Sequence, residues 1–176
     1  MDAFTQAFKT LRPNVTRWQA PPTGTVAARM AALQWPVDGG ERPTADEIAA
    51  EMARAPKLVA IEAEFAARLA VGLPYGNKVL QVDEASQQRL AAVATLALGV
   101  EQGQAGMAWP PGFAWRMADN SFLPRTAAQM LSMAQAAAGY VLALRVRRWA
   151  LRDEVNDPEA TAGEIAAVVV EAGWPE

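Results

Sequence analysis

Apolar positions recur at helical spacing through most of the chain and alternate at strand spacing in only two short places. Phe4, Phe8 and Leu11 stand at i, i+4 and i+7, predicting a short one-sided helix that Pro13 stops. Pro21, Pro22 and Gly24 interrupt the chain before a second short helix over 25–34, which Trp35-Pro36 and the Gly39-Gly40 pair end. Residues 1–43 therefore read as an N-terminal arm with short helices. Phe4 and Phe8 have two uses there: folding back on the core, or docking into a neighbouring subunit.

From Thr44 the pattern becomes regular. Thr44-Ala45-Asp46-Glu47 matches the capping box, in which the hydroxyl takes the third amide and the glutamate reaches back to the cap. Pro56 breaks the following run, and Leu58, Ile61, Phe65 and Leu69 make a fresh apolar stripe ending near Gly72, so the segment is one kinked helix or two. After a Tyr75-Gly76-Asn77 turn, Val79, Leu80 and Val82 suit a short strand over 78–82. Asp83 then caps a helix with the stripe Ser86, Leu90, Val93, Ala97 and Val100.

Phe113, Trp115 and Met117 alternate with small or polar residues up to Asp119-Asn120, predicting a hairpin with a two-residue primed turn. That register pairs Met117 with Phe122 and Arg116 with Leu123. Thr126 caps a long helix whose stripe holds Met130, Met133, Ala134, Ala137, Tyr140, Val141, Leu144 and Leu151. Asp157-Pro158-Glu159 reads as a cap with Pro at the first helical position, opening a last helix through Ile165, Val168 and Val169 to Gly173. The expected class is α+β: mainly helical, with a small antiparallel hairpin sheet, joined by the 78–82 strand, against two long helices over 84–102 and 126–154. The expected division is an arm over 1–43 and one domain over 44–176.

Composition narrows the chemistry. Among 176 residues there is no Cys and no His. Disulfides, Cys or His zinc sites, Cys nucleophiles and His-dependent triads therefore lack their side chains, leaving carboxylate, Lys or Ser chemistry. Neither cofactor nor metal is expected. A net charge of -3 and a pI near 5.1 offer no general attraction to phosphate backbones or anionic lipid. No run approaches the roughly 20 consecutive apolar residues that span a bilayer, and Met1-Asp2 opens without a basic leader. The expectation is a soluble, unprocessed chain without nucleic acid or membrane insertion.

Three segments together resemble a known family. They are Val82-Asp83-Glu84-Ala85-Ser86-Gln87-Gln88-Arg89-Leu90, the Trp115-Arg116-Met117-Ala118-Asp119-Asn120-Ser121-Phe122 hairpin, and Ala127-Ala128-Gln129 with Tyr140-Val141 and Leu151-Arg152-Asp153. Over residues 79–155 the chain resembles a domain of unknown function that recurs in bacteriophage tail-fibre and tail-assembly gene regions. The resemblance implies a virion-associated structural module and transfers no catalytic residue. It implies other tail proteins and further copies of this chain as partners, in the virion tail and, during assembly, in the host cytoplasm.

The candidate contact residues divide by their competing uses. Trp115 and Arg116 are strand neighbours on opposite faces, so Trp115 is expected under the long helix with Arg116 looking outward; the competing reading makes Arg116, with Asp119 and Asn120, a polar rim for a partner. Arg145, Arg148 and Arg152 recur at three and four, either opposing the negative helix C-terminus or forming a basic binding stripe. Glu62 with Glu64 and Asp83 with Glu84 do not make an acid pair of glycosidase type. Trp35, Trp109 and Trp174 each precede Pro and either fold back as lids or meet a sugar or protein. Three readings stay open: a structural tail protein, a tail-fibre assembly chaperone and a carbohydrate-binding module.

Overall fold

Side-chain caps set the helix starts in the structure, a computed structural model that describes residues 1–15, 18–36 and 40–176. Asp2 accepts from the Thr5 amide to open α1 (Ala3–Leu11), and Thr25 accepts from the Ala28 amide to open α2 (Val26–Ala31). Thr44 and Glu47 bond reciprocally at 3.1 and 2.6 Å before α3 (Ala45–Val71). Asp83 opens α4 (Glu84–Glu101). Thr126 and Gln129 close the same kind of box, at 3.2 and 3.0 Å, before α5 (Ala127–Asn156). Each cap satisfies amides that the first turn leaves without an acceptor. Gly39, expected to help end α2, lies outside the described residues.

Two separate antiparallel pairs supply the β content. Leu73–Tyr75 (β1) pairs with Lys78–Leu80 (β2), and Ala114–Arg116 (β3) pairs with Phe122–Pro124 (β4). The molecule is mainly helical α+β, as its periodicity predicts.

Four expectations change. The 78–82 strand forms its ladder with β1 and not with the hairpin; a backbone bond from the Ala118 amide to the Val79 carbonyl at 3.0 Å and the Lys78 side chain link the two pairs. Pro56 sits inside one helix, which is one of the two alternatives the sequence left open and no change. The hairpin register is one residue off: Arg116 faces Phe122 and Trp115 faces Leu123. Only Asn120 has positive φ (64°), and its amide bonds the Met117 carbonyl at 3.0 Å, so the loop is the three-residue type in place of a primed turn needing two such residues. The last helix, α6 (Ala162–Ala167), starts four residues later than expected. Asp157 caps a turn through the Glu159 amide at 2.9 Å, whereas Thr161 and Glu164 satisfy two donors reciprocally.

The chain divides into two compact units, Met1–Glu62 with Ala150–Val170 and Ala63–Trp149 with Glu171–Glu176, whose boundaries fall within α3 and α5. In the first unit Phe8 is fully buried, with Trp18 at 4.0 Å and Trp35 edge-on at 5.6 Å. Met30, Leu33 and Ile48 complete this cluster. Arg29, itself buried, lies 3.9 Å over the Phe4 ring and pairs with Asp2 at 2.7 Å. That guanidinium holds the Asp2 carboxyl far below the usual carboxylate range. Arg54 donates to the carbonyls of Val155 and Asp157 at 3.2 and 2.8 Å, and Lys57 donates to that of Val168 at 2.6 Å.

In the second unit Leu80, Val82, Met117, Met130, Met133 and Leu144 are fully enclosed. Trp174 is buried with its ring 6.5 Å from that of Phe65. By length and composition α5 is apolar enough to cross a membrane, although polar Gln129, Ser132 and Gln135 interrupt it. A helix lying at the centre of a folded domain has the same composition.

Candidate functional site

The second unit holds a polar cleft that assembles around the hairpin. Asp83 draws the chain into α4 by accepting from the Ser86 amide at 3.0 Å and from its hydroxyl at 2.7 Å. These bonds lower the Asp83 pKa and keep the carboxylate charged. Ser86 is 1% exposed, and its oxygen also accepts from Arg89 at 2.9 Å, one turn along the helix.

On the hairpin, Asp119 accepts from the Ser121 hydroxyl at 2.5 Å and its amide at 2.9 Å, while Lys78 on β2 reaches Asp119 at 3.2 Å and Ser121 at 2.5 Å. The Ser121 bonds chiefly, then Lys78, hold the Asp119 pKa at about 2. Asp119 thus braces the loop, and Asn120, in the left-handed region, accepts from Arg116 at 2.6 Å. Gln81, Ser86 and Arg89 face Trp115, Arg116 and Asn120 across a cleft of about 440 Å³. No carboxylate lines it.

Trp115 is half-buried and lines this cleft, so it is not the hairpin's core residue; Met117, 1% exposed, takes that place. Arg116 and Asn120 share the cleft as a rim, whereas Asp119 is outside its lining and bonds Ser121. Gln81 and Arg89 complete it without having been singled out beforehand; Arg89 sits one turn after Ser86 in the cap-bearing segment, which was the available signal.

The remaining candidates do not join this cleft. Phe4 and Phe8 are enclosed by the chain's own first unit and present no ring to a second subunit in this conformation. Arg145 reaches Gln87 at 3.5 Å, Arg148 stands 5.0 Å over the Phe65 ring, and Arg152 pairs with Glu62 at 2.5 Å. The last turn of α5 carries no basic residue, because the helix runs on to Asn156. The arginines therefore serve separate side-chain partners and do not cap the dipole.

The three Trp-Pro tryptophans are likewise engaged. Trp35 donates to the Gly40 carbonyl at 3.0 Å, Trp109 donates to the Arg125 carbonyl at 2.8 Å and lies edge-on to Phe113, and Trp174 is buried. Ala91, Ala94, Ala134 and Ala138 line an open groove of about 450 Å³ between α4 and α5. Leu142 and Arg145 stand in its lining. Among the described residues no group of three or more acids is placed to hold a metal ion.

No curated protein and no solved structure matches the chain. The family model described as domain of unknown function DUF4376 matches residues 52–171, taking in most of α3 as well as the hairpin, α5 and α6. This span exceeds the 79–155 resemblance at both ends and contains every residue of the polar cleft. The chain belongs to the DUF4376 family.

Proposed function

We propose that this protein is a non-enzymatic structural component of a bacteriophage tail, in the tail fibre or baseplate, that assembles with other tail proteins and with further copies of itself. The observation that carries the assembly reading is an unpartnered apolar face on α5. Leu142, Val146 and Trp149, at i, i+4 and i+7, are 56%, 52% and 51% exposed, and the alanine-lined groove lies beside Leu142. The tail assignment itself rests on the sequence resemblance over 79–155.

A non-catalytic role is supported by how the acids are used. Glu47, Asp83, Asp119 and Glu164 all have lowered pKa values because they accept bonds from their own caps or turns. Such carboxylates remain charged acceptors, the opposite of the raised pKa a general acid requires.

The test is the mass of the purified protein in solution, alone and with the product of the neighbouring fibre gene, together with the peptide inventory of virions. Association that Leu142→Lys and Val146→Glu abolish, and presence in the particle, are the expected results. A monomer that ignores the fibre protein and is missing from virions sinks the proposal. A fibre-assembly chaperone would instead raise soluble fibre yield on co-expression and then leave the finished particle.

A further inference from the structure

We propose that the hairpin cleft is a binding site for an acidic saccharide, a sugar unit carrying a carboxylate. Two guanidiniums, Arg89 and Arg116, line one cleft of about 440 Å³ with the Trp115 indole and the amides of Gln81 and Asn120. Among the described residues the two guanidiniums hydrogen-bond to neutral oxygens, Ser86 Oγ at 2.9 Å and Asn120 Oδ1 at 2.6 Å, and Arg89 is also close enough to lower the Asp83 pKa through its charge. Among the described residues neither forms a salt bridge, so both keep donors and charge for an anion.

The rest of the lining selects the body that carries the anion. A half-buried indole offers a flat apolar surface, and two amides offer donors and acceptors at separate points, which suits a ring bearing many hydroxyls. Phosphate is disfavoured because the Asp83 carboxylate already occupies the N-terminus of α4 and accepts its Ser86 amide. A doubly charged group would be repelled by that carboxylate twice as strongly as a singly charged one, whose charge two arginines already match. The cleft is pre-formed, since Lys78, Asp119 and Ser121 lock the hairpin tip from behind.

Calorimetric titration of the full chain tests this independently of the tail proposal. The ligands are a glucuronic-acid oligosaccharide, a neutral glucose oligosaccharide of equal length and an acidic peptide of equal charge. Saturable binding of the acidic saccharide alone is expected. Its affinity should fall about tenfold in Arg116→Gln and again in Arg89→Gln, as for loss of one charge-assisted bond each. Unchanged circular dichroism and thermal midpoint in exposed Arg116→Gln establish that the fold is retained. Absence of binding, equal binding of the neutral sugar, preference for the peptide, or full affinity in both variants overturns the proposal.

Discussion

Gly72 and Gly139 make opposite demands on their backbones. Gly72 turns the chain out of α3 at φ 86°, and a Cβ there would stand 2.7 Å from the Leu80 carbonyl oxygen. Gly72→Ala should cost about 2 kcal/mol or more, combining left-handed strain with a contact that the backbone cannot relieve. Gly139 lies within α5 with nothing within 4 Å of such a Cβ, so Gly139→Ala should stabilise by about 1 kcal/mol. Urea midpoints of the two variants should move in opposite directions. Asp119 gives a pH test. Its carboxyl falls from the ordinary 3.8 to about 2 in the folded protein, so its contribution is complete above about pH 4 and is lost as pH falls through 2. Asp119→Asn should flatten the acid limb of stability across that window and leave the neutral region's slope unchanged. At this scale the caps were legible, because Thr44, Asp83 and Thr126 act on residues three places away. Arg29 was not: its partners Asp2 and Phe4 lie some 25 places earlier, where no local pattern reaches.

Pro56 is the clearest conflict between an element and its sequence. It is exposed, it removes one amide from the α3 ladder, and the helix nevertheless continues to Val71. Pro56→Ala should therefore stabilise the protein by about 1–3 kcal/mol, read from denaturant midpoints, since no buried contact is removed. Periodicity found all six helices among the described residues, including the buried stripe of α5, because amphipathic spacing reports directly which face is enclosed. The strands were less legible. A three-residue strand carries too few alternations to define a register, and Ala118 gives no sign that it belongs to the loop. The partner of β2 was also missed, as Leu73-Pro74-Tyr75 contains a Pro that demotes it in any strand reading. The cleft was consequently half visible: its hairpin side was legible, while the Gln81 and Arg89 side depends on how β2, α4 and the hairpin come together.

Across the whole molecule, residues 1–43 do not behave as a detached arm. Phe4, Phe8, Met30 and Leu33 enclose Ile48, at the start of α3, in the first unit. Amides of α1 should accordingly be protected in hydrogen exchange to nearly the same degree as those of α3, and Phe8→Ala should cost about 3–5 kcal/mol. Fast exchange throughout α1 would restore the arm. Folding back was one of the two uses the sequence left open for Phe4 and Phe8, because Pro and Gly density marks irregular chain without saying whether it is packed. The first unit is also discontinuous, for Arg54 and Lys57 take their carbonyl partners from Val155, Asp157 and Val168. The aromatic cluster needs none of those later carbonyls, since its members all lie between Phe4 and Met52. On the ribosome, then, those rings find shelter within the first stretch to emerge, whereas the carbonyls that Arg54 and Lys57 use arrive only after 63–149 has been made. A chain cut after Trp149 should therefore loosen α3 at those two residues and leave α1 and α2 closed over Ile48.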